Sequence, residues 1–564
     1  MSRAHVLLGL TLLLGALTLG CSSRATPTPS TAADTIVRGI VVDESGHPVA
    51  GATVRIQATD HETLTGAAGQ FTLLGLAADT NYRVSAWQQG YYCALKPDVA
   101  TAAQDLVLTL RRYQTDDNPA YDWVAPVGQN SCYSCKPSLT QVWLDNDAHA
   151  RSAVNPRFLT MYNGTDVAGN SSPPTRYGFT RDYGRFSLPP DLSRPYFGPG
   201  YRLDFPLMAG NCAACHVPGA AIESPYGTDP NTVRGVDTYG AHCDFCHKVA
   251  DVRLDPATGL PYTNMPGVLS MQMRRPFSED PERYQLFFGT FDDDNVPEED
   301  TYLPLIESSQ YCAPCHHGVF WDTVVYNSFG EWLESPYNDP NWEGARTCQQ
   351  CHMPAPTLAD GEPITNVAPG AGGIERDPLS IHAHTFPGAS SVDLLQNAVT
   401  MKVKAHRTGD QIAVDVTLVN DQTGHDVPTD SPLRHLILLV EATGPGDGLL
   451  PQVAGPVIPE WGGVGDPAIG YYAGLPGKAY AKILTESWTG VTPTGAYWNP
   501  TRLISDNRLA AFESDTSAYL FETSEAPTSI TVTLLFRRAF IELMDQKGWD
   551  VPDVLMEQAI IVVP

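Results

Sequence analysis

The sequence predicts a multidomain chain: a small N-terminal β-sandwich, an irregular and α-helical middle, and a C-terminal β-sandwich. Three observations carry this. At 564 residues the chain exceeds what a single hydrophobic core organises. Alternating apolar residues with closely set Gly and Pro turns run through residues 36–112 and return at 394–564. Between them, residues 113–390 show little strand pattern, are rich in Pro, Gly and aromatics, and hold ten of the twelve cysteines.

The composition, 42% hydrophobic and 17% charged, is that of a globular protein. Sixty-three acidic against 35 basic side chains give a net charge of −28. Such a field repels nucleic acid and anionic membrane surface, which excludes nucleic-acid binding and favours a basic protein partner.

The first element, residues 1–20, reads as a lipoprotein-type signal peptide. Arg3 precedes an apolar run from Val6 to Leu19 that is shorter than the roughly 20 residues a spanning helix needs. Gly20-Cys21 resembles a bacterial lipoprotein cleavage site, which implies a diacylated Cys21; plain secretory cleavage is the alternative. Residues 21–35, rich in Ser, Thr, Pro and Ala, read as a flexible tether. The chain is thus expected to be exported and held as an outer-membrane or cell-surface lipoprotein, on the periplasmic or extracellular face.

In residues 36–112, strands are expected at Val37 to Val42, Ala52 to Ala58, Gly69 to Leu73 and Tyr82 to Trp87. Gly39 to Val42, Asp43, Gly46, Pro48 to Ala52, Gly69-Gln70-Phe71 and Gly90-Tyr91 resemble the carboxypeptidase regulatory-like (transthyretin-like) domain. That resemblance implies an accessory module. Cys93 reads as a small buried residue.

The middle segment carries the chemistry. Its ten cysteines form five CxxC pairs: Cys132/Cys135, Cys212/Cys215, Cys243/Cys246, Cys312/Cys315 and Cys348/Cys351. Four are followed directly by His216, His247, His316 and His352, and the first by Lys136. CxxCH is the attachment signature of c-type haem: two thiols join the macrocycle and the next side chain falls beneath the iron. Zinc would require two pairs per site and no histidine after each one, and disulfide loops would not select that histidine. Five covalent haems c are therefore expected, with Lys136 and the four histidines as proximal iron ligands. Porphyrins then replace side chains as the core, and short helices, one of them within Tyr326 to Ser335, wrap them.

The occupant of each iron's sixth position separates an electron carrier from a substrate site. The distal candidates are His149, His242, His317, one of His382 or His384, and His425. His242 and His317 adjoin haem motifs, His149 follows the first motif, and His382 and His384 follow the last. Asp292-Asp293-Asp294 reads as a solvated acidic loop, with Ca²⁺ as the alternative.

In residues 394–564, strands are expected at Thr400 to His406, Gln411 to Val419, His435 to Glu441 and Ser529 to Phe536, with a helix near Arg537 to Gln546. Asn420, Gly424-His425 and Pro428-Thr429 resemble a β-domain motif of extracellular multihaem cytochromes, in which the histidine reaches back to a haem.

One CxxCK followed by four CxxCH, closing on Cys348 to Pro354, resembles the multihaem cytochromes that include pentahaem nitrite reductase and hydroxylamine oxidoreductase. Glu331-Trp332 and Ser335-Pro336-Tyr337 share the likeness. In the nitrite reductases the lysine-ligated haem is catalytic, which implies a reductase of a small nitrogen or sulfur species at the Lys136 haem. Two features oppose it. Lys248-Val249-Ala250 follows the third motif where those enzymes have Tyr, and no histidine lies between His247 and His316. No catalytic residue is assigned. The favoured reading is an electron carrier or conduit in periplasmic or extracellular electron transfer. Basic redox proteins or other multihaem cytochromes are its expected partners, the lipid anchor its membrane contact, and a homo-oligomer or filament its possible assembly. A surface-binding module that merely carries haems is the third reading.

Overall fold

The computed structural model describes residues 35–182, 184–277, 285–296, 299–523 and 526–564. The signal segment, Cys21 and nearly all of the tether lie outside them. Among the described residues no helix is long and apolar enough to cross a membrane.

Seven strands build the first domain: β1 (Val37–Asp43), β2 (Thr53–Ile56), β3 (Glu62–Leu64), β4 (Gln70–Leu73), β5 (Asn81–Trp87), β6 (Ala94–Ala100) and β7 (Leu106–Leu110). They form two sheets, β4-β1-β7 and β3-β2-β5-β6. Val41, Val54, Phe71, Val84 and Leu108 fill the space between them. Gly39 lies where β1 meets its neighbours so closely that a Cβ would stand 2.1 Å from the Leu106 carbonyl oxygen. Only glycine fits there.

The C-terminal domain pairs β8 (Thr400–Thr408), β9 (Gln411–Val419), β10 (His435–Thr443), β11 (Gln452–Ala454), β12 (Gly477–Glu486), β13 (Thr501–Asp506), β14 (Ser514–Glu522), β15 (Thr528–Arg537) and β16 (Val554–Val563). The sheets run β8-β9-β14-β11 and β13-β12-β10-β15-β16. Inward residues of β9, such as Ile412, Val414, Val416 and Leu418, alternate with outward ones, as a half-buried strand requires. A helix, Ile541–Lys547, follows β15.

The middle has no large sheet. One-turn helices and two-stranded pieces alternate with 3-10 turns, and its buried apolar residues form small separate clusters around a large cavity.

Both sandwiches dock on this segment. The Asp292–Asp294 run is not a solvated loop. Asp293 and Asp294 are buried, Arg376 holds the Asp293 carboxylate at 2.6 and 3.1 Å, and the Ala58 amide donates to it at 2.6 Å. Arg55 pairs with Asp292 at 2.9 Å. The run is a seam between domains, where the charges of Asp292 and Asp293 are tolerated because each is paired. Cys93 is buried at the same seam, its amide donating to the Asp300 carbonyl at 3.0 Å. On the other side, Lys547 donates to the carbonyls of Thr160, Thr165 and Pro199 at 3.1, 3.2 and 2.6 Å. Arg508 meets Glu331 at 2.8 Å.

Candidate haem centres

Each CxxC pair falls on a single helical turn, and one turn places residues i and i+3 on one face. Local capping fixes the third and the fifth of these turns. Thr347 and Gln350 exchange side-chain and backbone bonds at 2.8 and 3.3 Å around the last one. All ten cysteines line one cavity of about 1350 Å³, together with Lys136, His216, His247, His316, His352, His149, His382, His384 and His425. A single small-molecule pocket is about 300–1,000 Å³, so this space suits a larger set of groups. Among the described residues no cluster of three or more His, Cys, Asp or Glu is gathered to hold a bare metal ion.

The histidines meet in pairs. Ring centroids of His149 and His316 are 6.2 Å apart, those of His247 and His384 6.3 Å, and those of His352 and His425 6.3 Å. Rings in contact would be much closer. A metal–imidazole bond of about 2.0–2.1 Å plus roughly 1.1 Å from nitrogen to ring centre, counted on both sides, gives about 6.2–6.4 Å. The spacing is that of two imidazoles on opposite faces of one iron.

The tautomers agree. Nδ1 of His247 lies 2.5 Å from the Phe288 carbonyl, Nδ1 of His352 2.7 Å from Pro387, Nδ1 of His384 3.1 Å from His382, and Nδ1 of His425 3.0 Å from Asp426. A carbonyl only accepts, so Nδ1 carries the proton and the Nε2 lone pair is left for a metal. Burial lowers the titration of His247 and His352 to about 4 and of His384 to about 3, which keeps these rings neutral, as ligation requires. His149 differs. Burial lowers its pKa, but the Asp147 carboxylate, 3.0 Å from Nδ1, raises it on balance. That partner makes His149 the more basic donor.

Of the two histidines after the last motif, His384 is the one that faces a motif histidine. His382 has Nδ1 at 3.4 Å from the Met353 carbonyl and Nε2 at 3.8 Å from Glu307. The expectation for His242 and His317 is not met. His242 caps the third motif's turn: its Nδ1 accepts the Phe245 amide at 3.2 Å, and it is fully buried outside the cavity wall. His317 has extended backbone, which turns its side chain away from the direction of His316, and its Nδ1 meets Asn327 Oδ1 at 2.5 Å. His149, expected near the first motif, faces His316 of the fourth.

Two motifs have no facing histidine among the described residues. His216 instead lies under Phe158, the rings parallel within 4° at 3.9 Å. Lys136 is half-buried, and desolvation lowers its pKa while Asp300 opposes the shift. Burial and Asp294 raise the Asp300 carboxyl to about 8; its Oδ2 accepts the Asn295 and Val296 amides at 3.0 Å each, and Oδ1 has no partner.

The motifs also adjoin one another. The thiol of Cys132 lies beside that of Cys243, Cys215 beside Cys315, and Cys312 beside Cys348. Tyr311, just before the fourth motif, donates to the Cys246 carbonyl of the third at 2.5 Å. The spatial order is first, third, fourth and fifth, with the second beside the fourth.

Residues 36–111 match the family model of the carboxypeptidase regulatory-like domain. No curated protein matches the sequence. Among solved structures, a penta-haem cytochrome c552 from Thermochromatium tepidum superposes over 78% of this chain and 100% of its own, at 16% identity and a TM-score of 0.50. The two share a fold. Smaller likenesses cover 13% of the chain for a cohesin–X-dockerin complex from Acetivibrio cellulolyticus (51% of that chain, 24% identity, TM-score 0.12) and 15% for the C-terminal domain of the PapC usher (100% of that chain, 17% identity, TM-score 0.12).

Asp147, Phe158 and Asp300 escape sequence reasoning. Only Asp147 leaves a signal, its place two residues before His149.

Proposed function

We propose that the chain is a pentahaem c-type cytochrome whose work is electron transfer. The observation that carries this is the set of three facing histidine pairs, 6.2–6.3 Å apart, in a cavity lined by all ten motif cysteines. Bis-histidine ligation gives a low-spin iron with no substrate face, which suits a carrier. Haems on adjoining motifs would form a path from the first through the third and fourth to the fifth. On this reading the protein is exported, anchored through Cys21, and passes electrons to a basic redox protein or another cytochrome, drawn by its charge of −28.

Intact mass after acid–acetone extraction tests the reading: the expected chain carries five covalent haems. Four would leave the Cys132/Cys135 pair without one, and none would end the proposal. For the anchor, Cys21→Ser should release the protein into the soluble fraction.

A second reading, reduction of a small nitrogen or sulfur species at the Lys136 haem, has one observation in its favour. His149, His384 and His425 are each matched to another motif, and His382 is engaged by Glu307, so no cavity histidine is left to face Lys136. Turnover with reduced viologen and nitrite, lost in Lys136→Ala, would establish it.

A further inference from the structure

We infer that the haem on Cys212 and Cys215 binds a small, iron-ligating monoanion, recognised by a group of arginines in the same cavity wall. This rests on the haem reading above and departs from the Lys136 site, which concerns a different motif.

The first observation is the missing partner. Every other motif histidine faces a second imidazole at ligation distance. His216 has only Phe158 against the flat of its ring, at 3.9 Å and 4°, a contact that fixes ring rotation and leaves the position across the iron to some other group.

The second is charge. Arg157, Arg434 and Arg538 all line this cavity. Arg434 has Asp430 at 3.6 Å and donates to the Thr429 carbonyl at 3.1 Å. Arg157 and Arg538 make no ion pair among the described residues, and the Arg538 Nε is buried without a partner. Burial and the neighbouring guanidiniums lower the pKa of Arg538 to about 10. Asp430 offsets one of the three charges, and a bound anion would offset the others.

The third is a pair of phenols. Tyr326 and Tyr497 line the cavity near Cys215 and Cys212, and neither hydroxyl is hydrogen-bonded among the described residues. Tyr326 is packed so tightly on Gly318 that a Cβ there would lie 2.2 Å from its ring. Burial raises the pKa of both, so each O–H is a donor. A small anion bound to iron through one atom would thus find guanidinium and phenol donors for the others. The competing use of the arginines is to hold haem propionates, and the experiment separates the two.

The test is an azide titration of the oxidised holoprotein, read by low-temperature EPR and the visible spectrum, with haem count by intact mass as the folding control. The expected result is a high-spin ferric signal that azide converts to low spin. Azide affinity should fall tenfold or more in Arg157→Gln/Arg538→Gln and return in Arg157→Lys/Arg538→Lys. The conversion should persist in Lys136→His. Three outcomes would overturn the inference. With no high-spin signal and no azide response, the His216 haem is six-coordinate and the carrier reading stands alone. Conversion lost in Lys136→His would place the anion at the other open haem. Unchanged azide affinity in the glutamine variant, with shifted potentials only, would assign the arginines to propionates. Loss of covalent haem altogether would instead sink the underlying haem reading.

Discussion

His352 and His425 stand 6.3 Å apart with ring planes 16° from parallel, one on the last attachment turn and the other on a loop of the C-terminal sandwich. A β-domain thereby sets a histidine opposite the last attachment turn, and on the proposed reading that histidine is the iron's second ligand. His425→Ala should keep all five haems, since the cysteines that hold them are untouched. It should convert one low-spin haem to high spin and raise its potential. Loss of a covalent haem in this variant would show that His425 instead supports the fold of the motif.

Asp147 faces His149 at 3.0 Å and its side chain is fully buried. On the proposed reading, the carboxylate would strengthen the imidazole as a donor and favour ferric iron. In Asp147→Asn the potential of the fourth haem should rise by on the order of tens of mV. Redox titration with spectroelectrochemistry reads it directly, and an unchanged potential would remove Asp147 from the tuning of that site.

The domain seam makes a separate prediction. Arg376 is the bidentate partner of Asp293, and both are buried. Arg376→Ala leaves a buried carboxylate unpaired, which costs about 3–5 kcal/mol. The N-terminal sandwich has its own core, so it should detach before it unfolds. Limited proteolysis near residue 112 should release it faster from the variant, and equal rates would mean that the seam is held elsewhere.

The two sandwiches were largely legible because strand alternation is local: Gln411–Val419 has the bounds its pattern sets, and Val37, Asn81, His435 and Thr528 begin strands within a residue of expectation. β12 was not read because the buried run Gly477–Glu486 shows little alternation; β3, β6, β7, β11, β13, β14 and β16 were not read either, although β14 and β16 do alternate. The proximal ligands follow from adjacency to their cysteines. Distal ligands depend on tertiary contact, and nearness in sequence misled at His242 and His317, where a helix cap and an extended backbone decide the side chain's direction. The acidic run failed for the same reason: its partners Arg55 and Arg376 are remote in sequence.

One source of acid sensitivity lies in the C-terminal sandwich. His435 is fully buried in β10, stacked on Phe540 at 4.9 Å, with Nδ1 3.1 Å from the Leu433 carbonyl and Nε2 without a partner. Burial, then Arg537, lowers its pKa from 6.5 to about 3. The native ring stays neutral while the unfolded chain takes a proton below about 6.5, so this residue's contribution is full above pH 6.5 and is lost as pH falls toward 3. His435→Phe should flatten the fall in thermal midpoint between pH 7 and pH 4, and an equally steep fall would assign the acid sensitivity to other groups.

The central claim is most directly tested by spin-quantified EPR of the oxidised protein at low temperature. The ring planes of His149 and His316 are 85° apart, whereas those of His247 and His384 and of His352 and His425 are 31° and 16° apart. Crossed imidazoles leave the iron orbitals nearly degenerate and give a highly anisotropic low-spin signal, and near-parallel ones give a rhombic signal. The account predicts one haem of the first kind and two of the second, each lost singly in His149→Ala, His384→Ala and His425→Ala. A spectrum dominated by high-spin iron, with no bis-imidazole signal to lose, would contradict it.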